Sequence, residues 1–545
     1  RDEEGSSVVS PSSGRASPVA MAMKSLPAKL AACACGLALA AAQQAGTRSV
    51  EGHPRVELRK CSAAGGCSQR QHDLTMDANW RWVHEVGGYE NCYKGKEWVE
   101  KHCADPVKCT ANCALEAVTA AEYQSTYGVK EVSGGLELKF VSHGQGGANF
   151  GSRLYMLEDA ESYTMFKLKN REFSLEVDAS NLPCGLNGAA YFVEMDRLGG
   201  KGKGNNHAGA KYGTGYCDAQ CPHDIKFIDG EANSLNWNST SDPPVGHFGT
   251  CCAEMDIWEA NSMATAYTPH PCEIKGQRRC EGIACGDNEK GERYQGVCDK
   301  DGCDFNSYRM GEKSFYGADS SFSLNTKKPV TVVTQFLTVD GTDTGELSEI
   351  RRFYMQDGKT IPNSYATLLG PGAGNSITDQ FCSAQKAAFK DTNDFHAKGA
   401  LRKMGEALER GVVLVLSLWD DTKANMLWLD SAYPLDLPTT RPGVSRGPCP
   451  GGKASTPSVL RTTHPDASVR FRHLAVGEIG STTRTVQRRL AASDSSYPIT
   501  PVPAYHPLHP YDPPHPYRPA PAHPYLPPHP AQPAHPYVPH GECQT

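Results

Sequence analysis

The cysteine residues constrain the fold of this chain more than any other feature of its sequence. Of the 21 cysteines in 545 residues, 18 lie between Cys61 and Cys449. A structural zinc site would require matched Cys-x-x-Cys pairs, and that spacing is absent. An even, dispersed set of cysteines is typical of disulfide bonds formed in an oxidising compartment. We therefore expect nine disulfide bonds, a secreted protein, and neither a metal site nor a cofactor.

The N-terminal region has the features of a secretory signal. Residues 1–20 show no pattern and are expected to be an unstructured upstream segment. The residues from Met21 to Ala42 combine a lysine, a short apolar stretch and small residues, which predicts a signal peptide over 21–42. This stretch is too short to span a membrane, and no other segment qualifies. We expect an extracellular protein without a membrane partner.

The charge of the chain argues against a nucleic-acid partner. There are 55 Lys and Arg residues against 61 Asp and Glu residues, giving a formal net charge of −6. These charges are spread along the chain, whereas nucleic-acid binding favours a concentrated basic patch.

The central part of the chain, residues 43–490, is predicted to be one all-β domain. Helical periodicity is scarce there; 397–410 is the best candidate and 114–123 a second, shorter one. Long Gly-, Asn- and Cys-rich stretches separate the β-branched and aromatic runs, which favours an antiparallel sandwich with large disulfide-stapled loops. The runs that predict strands are 136–141, 173–177, 189–195, 330–339 and 412–419.

The C-terminal segment, residues 491–545, differs in composition from the rest of the chain. His-Pro-Tyr recurs among many prolines, at His509, His515, His523 and His535. Dense proline favours polyproline II and prevents a packed core. We expect a disordered tail; a spacer and a substrate-adhering segment are the alternatives.

Three acidic residues stand close together in the run from Glu254 to Glu259. On a strand, Glu254 and Asp256 share a face, whereas Glu259, five residues from Glu254, should point to the other face. All three carboxylates reach one cleft only if a β-bulge lies between Asp256 and Glu259. The spacing therefore predicts a bulge there, with the indole of Trp258 providing apolar surface close by.

The residues around these acids indicate partial burial. Burial and mutual repulsion raise the pKa of at least one carboxyl group. Retaining glycosidases use such a pair, one carboxylate ionised as nucleophile and one protonated as acid. A solvated acidic edge without catalytic function is the alternative.

Tryptophans in polar segments favour a carbohydrate ligand. A sugar ring has an apolar face and hydroxyl edges, which indole stacking and polar hydrogen bonds recognise together. A single such tryptophan is more often part of a core, but four beside acids and amides favour a carbohydrate cleft. They are Trp80, Trp82, Trp419 and Trp428.

Long blocks of the sequence resemble glycoside hydrolase family 7, over nearly all of residues 43–484 and in the manner of its cellobiohydrolases that act from the reducing end. The blocks are 77–82, 182–188, 210–218, 254–261, 301–304, 417–421 and 425–430. The resemblance implies a concanavalin-like β-jelly-roll of two antiparallel sheets, with long loops forming a substrate tunnel. It implies a monomeric cellulase that binds cellulose and cello-oligosaccharides and cleaves β-1,4-glucosidic bonds with retention of configuration.

The resemblance also implies roles for individual residues. Glu254 takes the position of the nucleophile, Glu259 that of the acid/base, and Asp256 that of the carboxyl group which orients the nucleophile. Further positions match residues that bind the glucan chain. These are Trp80, Trp82, Asn187, Tyr191, Asp218, Gln220, His270, Arg293, Asp301, Arg309, Trp419, Trp428 and Arg446.

A complete disulfide pairing follows from the resemblance, although sequence alone leaves the connectivity open. The implied pairs are Cys61–Cys67, Cys92–Cys113, Cys103–Cys109, Cys184–Cys449, Cys217–Cys252, Cys221–Cys251, Cys272–Cys298, Cys280–Cys285 and Cys303–Cys382.

Loop length favours processive release of cellobiose from chain ends over internal cleavage. The loop from Cys280 to Arg293 and the segment 229–250 are both long enough to cover a cleft. One departure tempers this: Thr422 and Lys423 stand where typical cellobiohydrolases have two tyrosines, so a contact that closes the tunnel is missing. An endoglucanase of the same family, a β-1,3-glucanase and an inactive carbohydrate-binding protein are the alternatives.

Overall fold

The computed structural model describes residues 43–204, 206–287, 292–370 and 372–483. The expected upstream segment, the signal peptide over 21–42 and the proline-rich tail over 491–545 lie outside the described residues. No helix among the described residues is long and apolar enough to cross a membrane.

Strands dominate the described structure. In chain order they are β1 (Gln44–Ala45), β2 (Arg55–Ser62), β3 (Gly66–Met76), β4 (Val83–Glu85), β5 (Tyr93–Lys94), β6 (Glu97–Trp98), β7 (Cys113–Leu115), β8 (Val129–Val132), β9 (Gly135–Lys139), β10 (Val141–Gly144), β11 (Gly147–Phe150), β12 (Ser152–Asp159), β13 (Ser162–Tyr163), β14 (Met165–Phe166), β15 (Arg171–Asn181), β16 (Leu186–Val193), β17 (Phe227–Ile228), β18 (Glu231–Ala232), β19 (Gly249–Cys251), β20 (Glu254–Ala260), β21 (Thr265–His270), β22 (Arg278–Cys280), β23 (Phe305–Asn306), β24 (Tyr316–Gly317), β25 (Leu324–Asn325), β26 (Val330–Thr338), β27 (Leu347–Gln356), β28 (Lys359–Pro362), β29 (Val412–Asp420) and β30 (Ser468–Glu478).

The helices are short and lie between strands. They are α1 (Glu100–Cys103), α2 (Pro106–Asn112), α3 (Ala120–Ser125), α4 (Asp379–Phe389), α5 (Asp394–Ala397), α6 (Ala400–Arg410), α7 (Leu427–Asp430) and α8 (Pro457–Thr463). The helix predicted over 397–410 begins later than expected, because Gly399 and Ala400 have positive φ angles of 91° and 52° that separate α5 from α6. The short helix predicted within 114–123 is α3, which Thr119 begins with a capping box.

Two sheets form the sandwich, and their strands are antiparallel apart from the parallel pairing of β2 with β30. The inner sheet has the order β23–β21–β20–β16–β29–β12–β3. The outer sheet has the order β28–β27–β26–β15–β30, with β9 and β2 pairing along successive halves of β30. Strand β3 belongs to both sheets, since it pairs with β2 and then with β12. The predicted jelly-roll architecture and its five principal strands are confirmed.

The core lies between the two sheets and is filled by the alternating apolar residues of their strands. Phe173 on β15 and Phe192 on β16 meet across it, with ring centroids 5.1 Å apart. Every residue of β20 is buried, since the core covers one of its faces and other parts of the chain cover the second. Strand β20 is therefore buried on both of its faces.

All nine disulfide bonds implied by the resemblance are present among the described residues. The Cys184–Cys449 bond joins residues 265 positions apart, near the start of β16 and in the segment before α8. A cross-link of this length removes much of the conformational freedom of the unfolded chain. Most of the other bonds hold the irregular segments that connect the strands.

Candidate active site

Strand β20 carries a β-bulge at Ile257. Opposite β16, Trp258 pairs with Ala190 and Asp256 with Tyr191, so Ile257 has no partner there. The pairing with β21 shifts between Asp256 and Glu259 as well. The predicted bulge is confirmed, and it interrupts the ladders on both sides of the strand.

The bulge brings three carboxyl groups to one face of the inner sheet. Glu254, Asp256 and Glu259 lie opposite Val193, Tyr191 and Ala189 respectively, which are alternate residues of β16. Trp258 takes the opposite face and is fully buried in the core between the sheets. The expectation that its indole lies beside the carboxyl groups is therefore wrong, because the bulge moves Glu259 and not Trp258 to their side.

Two adjacent disulfide bonds fix the segment that approaches Glu254. Cys217 is bonded to Cys252, and Cys221 to Cys251. The tied loop includes Ala219, whose backbone N–H donates a hydrogen bond to Glu254 Oε2 at 3.0 Å. The carboxyl group of Glu254 is thus held by a backbone donor that is itself cross-linked to the strand.

Glu259 has an environment suited to a proton donor. It is 9 % exposed, and Asn187 Nδ2 donates a hydrogen bond to its Oε1 at 2.9 Å. Burial raises the pKa of this carboxyl group to about 7, although the hydrogen bond from Asn187 and the nearby His270 oppose the shift. Glu259 therefore carries its proton in acidic solution and loses it as the pH rises through about 7.

The imidazole of His270 lies beside the carboxyl group of Asp256. His270 Nδ1 lies 2.9 Å from the carbonyl oxygen of Asp299, which can only accept, so Nδ1 carries a hydrogen. The opposite ring atom, Nε2, lies 3.1 Å from Asp256 Oδ2. Burial, followed by repulsion from Glu259, raises the pKa of Asp256. The contact with Nε2 therefore fixes the orientation of the Asp256 carboxyl group.

A second polar chain approaches Glu254 from the cross-linked loop. Tyr216 donates a hydrogen bond to Asp218 Oδ2 at 2.7 Å, and its hydroxyl oxygen lies 2.9 Å from that of Tyr191. Burial raises the pKa of Asp218, and burial together with repulsion from Asp256 and Asp218 raises that of Glu254. Because these buried acids repel one another, they do not all ionise together.

Comparison with known proteins identifies the family to which this arrangement belongs. The family model described as glycosyl hydrolase family 7 matches residues 45–483. The chain is a member of glycosyl hydrolase family 7.

Solved structures of this family resemble the chain closely. A family 7 cellobiohydrolase from Daphnia pulex is 48 % identical over 81 % of this chain and 100 % of that one, with a TM-score of 0.79. A cellobiohydrolase from Melanocarpus albomyces, complexed with cellotetraose, is 38 % identical over 81 % and 99 %, with a TM-score of 0.74. An endocellulase from Humicola insolens is 36 % identical over 81 % and 100 %, with a TM-score of 0.67. Both exo- and endo-acting members thus resemble it.

The predicted sugar-binding residues Arg293 and Asp301 form an ion pair within this family 7 site. Arg293 Nη2 lies 2.6 Å from Asp301 Oδ1, and Tyr294 donates to the other oxygen at 3.1 Å. Gln220 Nε2 donates to the carbonyl oxygen of Lys300 at 2.7 Å, which connects this pair to the cross-linked loop. These groups therefore lie together on the side of the site toward His270.

Arg309 and Arg446, also predicted to bind sugar, meet at Asp304. Arg309 is 3 % exposed, pairs with Asp304 and lies 2.7 Å from Asp391. Arg446 Nη1 is 3.7 Å from Asp304 Oδ2 and also contacts the carbonyl oxygen of Trp428 at 3.5 Å. Both ends of the Arg309 guanidinium group are thus paired with carboxylates. Arg309 therefore helps to hold Asp304 beside Arg446 and is not free to bind a sugar.

The four predicted platform tryptophans are all partly exposed, as sugar stacking requires. Trp419 and Trp428 stack on each other with centroids 6.2 Å apart, and Asp421 accepts a hydrogen bond from Trp428 Nε1 at 3.1 Å. Trp80 is fixed by a hydrogen bond to the carbonyl oxygen of Gly151 and Trp82 by one to Asn91. The indoles therefore have fixed orientations.

Sequence reasoning did not identify Arg153 as part of the site. Its guanidinium group lies 3.4 Å from the ring centroid of Tyr216, and its Nε donates to Asp77 Oδ2 at 2.7 Å. It also lowers the pKa of Asp218 against the effect of burial. Nothing in the local sequence of β12 indicates this role, and the contact with Asp77 follows from the pairing of β12 with β3.

Proposed function

We propose that this chain is a secreted cellulase that hydrolyses β-1,4-glucosidic bonds with retention of configuration. The observation that carries the proposal is the placement of Glu254, Asp256 and Glu259 on one buried face, with different partners for each. Two carboxyl groups in unlike environments are what a retaining glycosidase requires.

The proposed reaction has two steps. Glu259 donates its proton to the glycosidic oxygen while Glu254 attacks the anomeric carbon, so the leaving sugar departs as an alcohol and a glycosyl-enzyme forms. Glu259, now ionised, then removes a proton from the water that attacks the anomeric carbon and releases Glu254. The proton that Glu259 takes from this water restores it for the next cycle.

Asp256 is proposed to keep Glu254 in its reactive form. Burial and repulsion from Glu259 raise the pKa of Asp256, and a carboxyl group that retains its proton beside Glu254 can donate to it without adding a second negative charge. Together with the Ala219 N–H at 3.0 Å, this stabilises the ionised form of Glu254 in a buried site.

Cellulose and cello-oligosaccharides are the proposed ligands. The Melanocarpus albomyces relative was solved with cellotetraose, and an endoglucanase I that is 33 % identical, with a TM-score of 0.68, was solved with cellobiose. We propose that the tryptophan platforms stack on glucose rings. We also propose that the groups around Arg293 and Arg446 bind the sugar that leaves.

Processive release of cellobiose is the proposed mode of action, and a loop contact supports it. Thr422 Oγ1 donates a hydrogen bond to the carbonyl oxygen of Asp242 at 2.6 Å, so the segment 229–250 reaches the turn between Trp419 and Trp428. Lys96 also contacts this segment, since its Nζ lies 3.0 Å from Asp242 Oδ1. A threonine contact thus joins the two segments at the position where the resemblance implied that a tyrosine contact closing the tunnel is missing.

The products released from cellulose test the proposed function. We expect cellobiose to dominate the soluble products of the mature secreted protein, and the first-formed anomer of a soluble cello-oligosaccharide to be β. Chromatography and proton NMR measure these two outcomes. Mixed longer oligomers would indicate an endoglucanase, an α-anomer would contradict the proposed pair of carboxyl groups, and no release would favour a binding protein.

Removing the loop contact should make the enzyme less processive. In Thr422→Val the hydrogen bond to Asp242 is lost, and a partly exposed bond of this kind contributes about 0.5–1.5 kcal/mol. We expect the ratio of soluble to insoluble reducing ends formed on cellulose to fall about twofold, with unchanged hydrolysis of a small aryl cellobioside. Thr439→Val, at an exposed position without such a bond, is the control; an equal change in both variants would refute the role of the contact.

A further inference from the structure

The bulge at Ile257 leaves the carbonyl oxygen of this residue without a hydrogen-bond partner in the inner sheet. Strand β20 is hydrogen-bonded on both sides, to β16 and β21, and Ile257 is skipped by both registers. A bulged residue leaves the ladder, yet Ile257 is completely buried and its carbonyl oxygen cannot reach water. That oxygen requires a donor from another part of the molecule.

Arg352 provides this donor from the opposite sheet. It lies on β27, its Nη2 donates a hydrogen bond to the carbonyl oxygen of Ile257, and it is 1 % exposed. The guanidinium group crosses the core beside aromatic rings, 4.2 Å from the centroid of Tyr267 and 5.7 Å from that of Tyr354. The side chain thus spans the sandwich to reach one backbone atom.

Packing alone does not account for an arginine at this position. A buried cation is costly unless it is paired, and aromatic faces compensate only part of that cost. Among the described residues Arg352 has no ion pair with a carboxylate, and its Nε and Nη1 make no hydrogen bond. An apolar side chain of similar size would fill the same volume at lower cost.

We propose that Arg352 is a positioning residue that fixes the bulge and, through it, the carboxyl group of Glu259. Glu254 and Asp256 pair with β21 before the bulge, and Glu259 pairs with it after the bulge in a shifted register. The position of Glu259 relative to Glu254 therefore depends on the conformation of Ile257. This inference rests on the proposed function, since it assigns to Arg352 the geometry of the acid/base.

The dependence on leaving group distinguishes this role from simple stabilisation. Proton donation contributes about 10²–10⁴-fold to a reaction with a poor leaving group, and little to one whose leaving group departs unaided. For Arg352→Met we expect hydrolysis of cellotetraose to fall at least about tenfold. The rate at which 2,4-dinitrophenyl cellobioside forms the glycosyl-enzyme should fall less than about threefold. Arg352→Lys, which keeps a donor, should recover part of the cellotetraose activity.

Leu175→Ala is the matched control, because it removes a fully buried side chain from the same core on β15, a strand that pairs with neither β20 nor β27. It should lower thermal stability and leave the ratio of the two activities unchanged. If Arg352→Met also lowers both activities equally, or lowers neither, Arg352 has no positioning role. If the wild-type protein hydrolyses neither substrate, the proposed function itself has failed.

Discussion

Glu254→Gln is expected to abolish hydrolysis of cellulose and of cello-oligosaccharides. Glutamine keeps the shape of the side chain and an oxygen that accepts the Ala219 N–H, but an amide cannot form the glycosyl-enzyme. Loss of the nucleophile removes the reaction path itself, so kcat should fall by at least about 10⁴-fold. Sensitive detection of a released fluorophore from an aryl cellobioside measures this loss.

Binding distinguishes a lost nucleophile from a damaged site. Calorimetric titration with cellotetraose should give a dissociation constant for Glu254→Gln within about threefold of wild type, since that change is below 1 kcal/mol. Glu137→Gln, on β9 of the outer sheet, removes a comparable carboxylate far from β20 and should keep full activity. More than a trace of activity in Glu254→Gln would show that another group is the nucleophile.

Strand β20 shows how much of the site can be predicted from the sequence. An interval of five residues places Glu254 and Glu259 on opposite faces of any regular strand, so a shared cleft demands a bulge. The pattern locates this bulge between Asp256 and Glu259, and the structure places it at Ile257. Local periodicity is enough here because the constraint lies within one strand.

Contacts between strands that are distant in the chain could not be predicted from the sequence. Arg153 and Arg352 each lie within a β-strand, and an arginine is ordinarily exposed to solvent. Their roles depend on which strand faces them across the sheet or the core, and no local pattern contains that information. The predicted location of Trp258 was wrong for the same reason, since the face of the strand on which its side chain lies depends on which residue the bulge leaves unpaired.

The disulfide pairing and the jelly-roll came from resemblance rather than from physical reasoning. Eighteen cysteines have a very large number of possible pairings, and nothing in their spacing selects one. The structure shows what the pairing achieves around the site: Cys217–Cys252 and Cys221–Cys251 fix the loop that donates to Glu254. The rigidity of Glu254, the proposed nucleophile, thus depends on covalent bonds as well as on packing.

Glu259→Ala is expected to impair each step of the reaction to a different degree, and its pH dependence provides a second test. In the wild type, Glu259 has a pKa of about 7 and donates a proton only in its neutral form. Its activity as an acid is therefore complete well below pH 7 and is lost as the pH rises through about 7. In Glu259→Ala the decline of kcat/KM for cellotetraose near this pH should disappear.

Added azide identifies the missing function in the same variant. Without Glu259 there is no base to activate water, so the glycosyl-enzyme on Glu254 accumulates. Azide needs no base and fits the space that alanine leaves, so it should raise turnover of the dinitrophenyl substrate and yield β-cellobiosyl azide. Cellotetraose hydrolysis, which needs the acid as well, should stay about 10²–10⁴-fold below wild type. An α-azide, or azide rescue in Glu254→Gln instead, would reverse the assignment of the two carboxyl groups.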